Sequence, residues 1–463
     1  MFVSVHRLCR AGTRSSTQVR RWNAAREHVV ARAVLIVCLT ATAPAAQAQT
    51  PTSVTPDFYA IELSLREFVQ RALEAQPSLK EAEARYRAAL ERMPQVTALP
   101  DPTVSFTQML RSVETRVGPQ LNTVMLAQAF PWFGKLDVRG QIATQDAAAA
   151  FETWQARQRD VIAQVKAAFY NLGYVDTAID VTLEEQSILE HYERLAQARY
   201  ASGGGLQQAV IKVQAELTRI LNRLFMLRQQ RQTLAARLNT LIDRAPETPV
   251  APVHLADPPI AAAATLDLAE LFATGEANRH EVRAADALIA RSERSIALAR
   301  KNYWPDFVVG AGIINVGGSE SAAMTAPPDS GKNAWTISVG VTLPIWRDKL
   351  NAAVRQASEE TTAFQQGRAK LVNDLEFDVR DQVNRLQTLA GQIRLFQDVL
   401  IPQAGEAQRS TETAYETGQV GVLDLLDSER VLLEVRLANE RQRADYLLAL
   451  AELERAIGVR FPR

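Results

Sequence analysis

Period-two alternation is clearest in "AWTISVGVTL" (Ala334–Leu343). There Trp335, Ile337, Val339, Val341 and Leu343 alternate with Thr336, Ser338, Gly340 and Thr342, the pattern of a strand with one apolar face. Weaker versions occur in "TVSFTQML" (Thr103–Leu110), "LNTVMLAQAF" (Leu121–Phe130) and "DFVVGAGII" (Asp306–Ile314). Elsewhere the period is helical and the chain is starved of proline. No proline occurs between Pro131 and Pro246, and only Pro402 interrupts Pro344 to Pro462. A helix from about Leu136 to Ala201 would be roughly 100 Å long at about 1.5 Å per residue. The returning segment carries a 3-4 seam of Leu206, Val210, Val213, Leu217, Ile220, Leu224 and Leu227, then Leu234, Leu238 and Leu241. That is coiled-coil spacing, broken once at Arg231. Helices of this length do not stand alone in water and must pack on neighbours.

The pattern is written twice. "LSLREFVQRALEAQPSLKEAEARYRAALERM" from Leu63 has a counterpart in "LDLAELFATGEANRHEVRAADALIARSERSI" from Leu266. Pro100-Asp101 answers to Pro305-Asp306, Pro131 with Lys135 to Pro344 with Lys349, and Tyr200 to Tyr415. The offset grows from 203 to 215, mostly through a longer loop near Gly317–Lys332. The predicted organisation is a first repeat over 49–244, with a β-hairpin at about 103–130 and a helical hairpin at about 135–243. A second covers 263–463, with a β-hairpin at about 306–343 and a helical hairpin at about 348–458. Between them the proline-rich linker 245–262 lacks periodicity and is expected to be extended.

Composition adds compartment to this picture. The chain has 463 residues, 47% apolar and 22% charged, enough for a sizeable core. Residues 1–48 hold seven arginines and one glutamate, which leaves 45 basic against 51 acidic residues in the rest. No basic patch invites nucleic acid. The arginines precede an apolar stretch, Ala33–Ala43, and Ala46-Gln47-Ala48 is a small-residue cleavage site, so 1–48 reads as a secretory signal peptide. Val37 is too bulky for the residue that precedes a lipidated cysteine, so cleavage after Ala48 is expected rather than attachment at Cys38. Both cysteines, Cys9 and Cys38, fall inside the leader. The exported chain would therefore have no disulfide, no thiolate nucleophile and no cysteine metal site.

Downstream of the leader no apolar run approaches the roughly 20 residues of a membrane helix, whereas strands of about ten residues can cross an outer membrane. Trp132 and Phe133 follow the second strand, Tyr303 and Trp304 precede the third, and Trp346 follows the fourth. All five lie at the helix-proximal ends, where an interfacial girdle would sit; ordinary core aromatics at strand ends are the alternative. Four strands cannot close a barrel, and an open edge in lipid leaves backbone groups unpaired. Either the sheet is soluble or several chains pool their strands, and three chains would supply twelve.

The duplicated Tyr200–Gly203 and Tyr415–Gly418 turns, "VGVLDLLDSE" (Val420–Glu429), the paired strand hairpins and "FPWFGKL" (Phe130–Leu136) together resemble the TolC family of outer-membrane efflux ducts. The resemblance runs along essentially the whole chain after the leader. It implies a mixed, predominantly α fold: a homotrimer with a twelve-stranded transmembrane β-barrel continued by a periplasmic α-helical barrel. It also implies an outer-membrane location in a Gram-negative cell, contact with outer-membrane lipid, and docking to a periplasmic adaptor. The pump served would lie in the inner membrane and be of a type such as a resistance-nodulation-division transporter. No cofactor is implied.

With the strand ends at the membrane, the turns after Tyr200 and Tyr415 lie at the far periplasmic tip. Gly203 and Gly418 suit helix C-termini entering the left-handed region. The resemblance assigns adaptor docking to these tips, with Val420, Gly421 and Val422 as the small-residue segment and Gly205 and Leu206 as its first-half counterpart. Plain hairpin turns would need the same glycines. Asp424 and Asp427 lie on one helix face near its start, where acids favour the dipole by about 0.3–1 kcal/mol. Alternatively, copies facing inward form carboxylate rings that narrow a tube and favour cations. These two positions match the family's constricting aspartates. The first half has Ala209 and Lys212 there, so Ala209 supplies no charged latch of the kind that the family can use.

Enzyme signals are poor. His191, His254 and His280 are scattered, His280-Glu281 lacks a second histidine, and Gly203-Gly204-Gly205 has no following Lys-[Ser/Thr]. Beside the efflux duct stand two alternatives, a non-porous periplasmic coiled-coil scaffold and a duct for protein secretion. The scaffold leaves the alternating strands unexplained. "FPWFGKL" loosely resembles members that accompany heavy-metal pumps, although scattered histidines and no cysteine give no metal site.

Overall fold

The computed structural model describes residues 64–318 and 328–460, with the side chains of 262 and 264 excepted. The expected signal peptide, both cysteines and most of the insertion after Gly318 lie outside the described residues. Ser64 caps the first helix: its hydroxyl accepts from the Glu67 amide, and the Glu67 carboxylate accepts from the Ser64 amide at 2.7 Å. Helices α1 (Leu65–Ala75), α2 (Pro77–Leu90) and α3 (Arg92–Thr97) lead into strands β1 (Thr103–Thr115) and β2 (Gly118–Phe130). Two long helices follow, α4 (Lys135–Ala201) and α5 (Gln207–Leu241). Then come a 3-10 turn (Ile260–Thr265), α6 (Leu268–Asn278), α7 (His280–Lys301), β3 (Asp306–Val316) and β4 (Ala334–Thr342). The chain closes with α8 (Arg347–Leu395), a π-turn (Phe396–Leu400), α9 (Ile401–Glu416) and α10 (Val422–Ile457).

The four strands form one antiparallel sheet in the order β1-β2-β3-β4. Its middle seam joins the repeats, pairing Phe130 with Phe307 and Val124 with Ile313. Strand β1 runs past the alternating stretch into polar Arg111–Thr115, with a register shift between Gln108 and Val113. The extension is held by pairing to Gly118–Gln120 rather than by an apolar face. No helix among the described residues is long and apolar enough to cross a membrane.

Helix α4 has 67 residues, about 100 Å at 1.5 Å per residue, and it is supported along its length. Near the strands it buries Ala143, Ala147, Ala149 and Ala156, small enough to admit α7 closely, which in turn buries Ala284, Ala285 and Ser292. Further on, Val161, Val165 and Leu172 pack with Phe68 of α1, Leu238 of α5, and Val250 and Val253 of the linker. An equivalent cluster ties Leu271 of α6 and Leu375, Val379 and Leu386 of α8 to Tyr446 and Leu453 of α10.

Two breaks in the helical pattern have local causes. Arg231, the polar interruption of the α5 seam, reaches Asp176 of α4 at 2.5 Å and donates to the Val250 carbonyl at 2.9 Å. Asp176 is buried and also accepts from the Val253 amide at 2.8 Å, so this pair fastens the linker to the hairpin. Removing one partner strands the other charge. Asp176→Ala is expected to cost about 3 kcal/mol, read as a thermal midpoint lower by roughly 6–12 °C for the detergent-solubilised protein. The second break is Pro402, which has no amide hydrogen for the ladder. The backbone widens into the π-turn Phe396–Leu400 just upstream and continues as α9.

Candidate functional site at the paired helical tips

The two hairpin turns are built alike. Gly203 and Gly418 sit in left-handed backbone at φ 81° and 79°. The Gly203 amide donates to the Tyr200 carbonyl at 3.1 Å, and the Gly418 amide to the Tyr415 carbonyl at 3.0 Å. The next amide in each, Gly204 or Gln419, returns to Arg199 or Ala414 at 3.0 and 2.8 Å, satisfying carbonyls that a helix end leaves orphaned. A Cβ at Gly203 or Gly418 meets nothing within 4 Å. It is the backbone angle, not space, that demands glycine there.

The side chains then diverge. Tyr200 is 50% exposed, whereas Tyr415 is 4% exposed and joins a cluster with Leu189, Tyr192 and Val213 of the first hairpin and Val422 and Leu425 of the second. Arg199 covers it, with the guanidinium carbon 4.5 Å from the Tyr415 ring centre and Nη2 donating to the Glu416 carbonyl at 2.5 Å. This contact joins the first tip to the second, and the Tyr-x-[Ser/Thr]-Gly motif gives no sign of it because Arg199 lies one residue outside. Between the tips is an open cavity of about 390 Å³, lined by Gly205, Leu206, Ala209, Lys212, Val420, Gly421 and Val422. Leu206 is exposed at its rim.

Asp424 and Asp427 are both exposed in the first two turns of α10. Asp424 accepts from the Gly421 amide at 3.1 Å and so caps the helix, while Arg430 approaches Asp427 at 4.0 Å. Above them, buried Glu429 accepts from the Tyr192 hydroxyl at 2.7 Å and from Gln408 at 2.6 Å. Burial pushes both Glu429 and Tyr192 up from their ordinary pKa values, so each resists ionisation.

At the opposite end, the strand-terminal aromatics separate into two groups. Trp132 stacks on Trp304 at 5.0 Å and on Phe307 at 5.6 Å, with Phe133 edge-on at 5.8 Å. The group is pinned by Asp306, which accepts from Lys135 at 2.8 Å and from the Trp132 amide at 2.7 Å. Tyr303 instead faces the second repeat, bonding Asn351 at 2.5 Å beneath Arg347, and Trp346 is exposed. The sheet itself turns apolar side chains outward: Ile337 is 86% and Leu110 100% exposed, and Val104, Phe106, Trp335 and Val339 are exposed too.

A family model described as outer membrane efflux protein matches residues 68–243 and 274–459, one segment in each repeat. Among curated proteins, the pyoverdine export outer membrane protein OpmQ of Pseudomonas putida is 26% identical over 57% of this chain and 54% of its own length. The match thus spans about half of that relative. The cobalt-zinc-cadmium resistance protein CzcC of Cupriavidus metallidurans is 22% identical over 70% of this chain and 74% of its own. Among solved structures, the outer membrane protein VceC of Vibrio cholerae superposes with a TM-score of 0.71 over 86% of this chain and 97% of that one, at 18% identity. With both repeats matched and the fold shared, the chain belongs to the outer membrane efflux protein family.

Proposed function

We propose that three copies of this chain form a duct that carries solutes from a periplasmic adaptor and an inner-membrane pump across the outer membrane. The observation that carries this reading is the inverted sheet. In a water-soluble sheet the apolar face packs on a core, whereas here the Val104, Phe106, Trp335 and Ile337 side chains are exposed and the edges of β1 and β4 have no strand partner among the described residues. Lipid satisfies the first feature and pooling strands between copies satisfies the second. Aromatics at the helix-proximal ends suit one interfacial girdle. The long helices α4, α5, α8 and α10 then continue the barrel as a tube.

At the far end the tips act as the gate and docking surface. Half-buried Val420 and exposed Gly421 beside the inter-hairpin cavity offer the adaptor a small-residue groove, and Asp424 and Asp427 of each copy face the axis as cation-attracting rings. The cargo follows from the pump served, because the duct contacts solute after selection.

Fractionation and planar-bilayer recording test this directly. The protein is expected to stay with outer membranes until detergent is added, and to give discrete, cation-selective openings once purified. Release with soluble periplasm, or a folded protein that never conducts, would rule out the duct.

A further inference from the structure

Just above the tips, where α4, α5, α9 and α10 meet, three buried glutamates share one packing layer. Glu429 of α10 is satisfied by Tyr192 and Gln408. Glu216 of α5 pairs with Arg219 at 2.8 Å and Arg430 at 3.2 Å. Glu185 of α4 is different. It is 7% exposed and faces a cavity of about 90 Å³ with Gln408, Glu429 and Arg436. Among the described residues no hydrogen bond or ion pair reaches it; Arg436 is engaged by Glu184 at 3.3 Å. The charged groups around this layer are Glu216 and Arg219 from α5, Glu412 from α9, and Glu429, Arg430 and Arg436 from α10. Glu184 and the Tyr192 hydroxyl come from α4 itself.

We propose that Glu185 is a proton-operated joint between the two helical hairpins: neutral, it lets them stay packed; ionised, it drives them apart and opens the tip. This rests on the duct reading above. An unpaired carboxylate beside two further buried carboxylates is tolerated in a closed layer only while it is neutral. Separating α9–α10 from α4–α5 admits water to the cavity, and that is the movement a tip gate requires.

Burial, and then the charges of Glu429 and Glu216, push Glu185 up to about 8. The packed form therefore binds a proton that the separated form, near the ordinary carboxylate value of about 4.3, releases. Packing is fully favoured at low pH, weakens as pH rises through the interval between those values, and is weakest above about 8. A periplasm acidified by proton export would hold the tip shut.

The test is open probability against pH in planar bilayers, with spin-label distances between Ser202→Cys and Gln419→Cys on the two tips. In the wild type the open-to-closed ratio is expected to rise by about tenfold or more between roughly pH 6 and pH 9, with the tip distance lengthening in step. Glu185→Gln, which keeps the shape and fixes the neutral state, is expected to abolish the step and stay closed at alkaline pH. Glu429→Gln removes a like-charged neighbour that raises Glu185, and is expected to shrink the step and move it downward. Channels that conduct normally but show the same pH step with and without Glu185→Gln would overturn the joint and leave the duct intact. Failure of every variant and the wild type to conduct would instead overturn the duct, and the spin-label distances would still report whether the hairpins part with pH. If Glu185→Gln loses its circular dichroism signal, the Glu429→Gln shift decides, and an unmoved midpoint overturns the joint.

Discussion

Replacing Asp424 and Asp427 together by alanine is expected to raise single-channel conductance by about two- to fivefold and to lower cation preference by about tenfold. Both side chains are exposed, so truncation empties space without opening a cavity in the core. In the proposed three-copy duct this removes six carboxylates from the proposed constriction. Around an axis with restricted water, unit charges a few ångströms from a passing cation attract it by roughly 1–4 kcal/mol, and about 1.4 kcal/mol is tenfold in occupancy. The single variants separate the residues. Asp424→Ala also loses the cap on the Gly421 amide and should cost about 1 kcal/mol of helix stability, whereas Asp427→Ala leaves the cap in place. Asp424→Asn and Asp427→Asn keep size and remove charge, so a loss of selectivity without a gain in conductance would assign the constriction to size alone. Selectivity unchanged in the double alanine variant would remove both positions from the pore lining.

The sequence made the repeat unit and its strands legible because their signals are local. The alternation from Trp335 became β4, which ends at Thr342, one residue short of Leu343, and the proline-free stretch from Pro131 became α4 and α5. Glycines at the turn positions announced backbone that only glycine adopts readily, and φ at Gly203 and Gly418 is left-handed. What stayed hidden depends on pairs far apart in the chain. Arg231 was visible only as a polar flaw in an apolar seam, since its partner Asp176 lies 55 residues earlier. Nothing local marks Glu185 and Glu429 as buried, because a helix packed on several sides buries more than one stripe and its polar and apolar faces are hard to separate. Trp132 and Trp304 were placed at the same end by topology, but their stacking and its anchor, Asp306 on Lys135, require the β2–β3 seam between repeats. Barrel closure is a property of several chains, and one chain's pattern expresses it only as unpaired edges.

Arg199→Ala is expected to hold the tip open. Ala209 deprives the first hairpin of a charge at the position equivalent to Asp424, yet the first tip still reaches the second through the Arg199 guanidinium over Tyr415 and its bond to the Glu416 carbonyl. A cation–π contact at a partly exposed site contributes about 0.5–1 kcal/mol, and a hydrogen bond from a charged donor about 1.5–3 kcal/mol. Loss of roughly 2 kcal/mol in each chain is close to a 30-fold shift towards opening per chain. Three chains opening together would multiply that shift, so mostly brief openings should become long ones. Arg199→Lys keeps the charge but not the flat donor that stacks on a ring, and should fall between. Tyr415→Phe retains the ring face and should behave as wild type, which separates a ring contact from a hydroxyl contact. Equal open probability in the wild type and in Arg199→Ala would mean that Arg199 fastens only a resting surface, and the closure of the tip would then rest on the buried layer around Leu425 and Glu429.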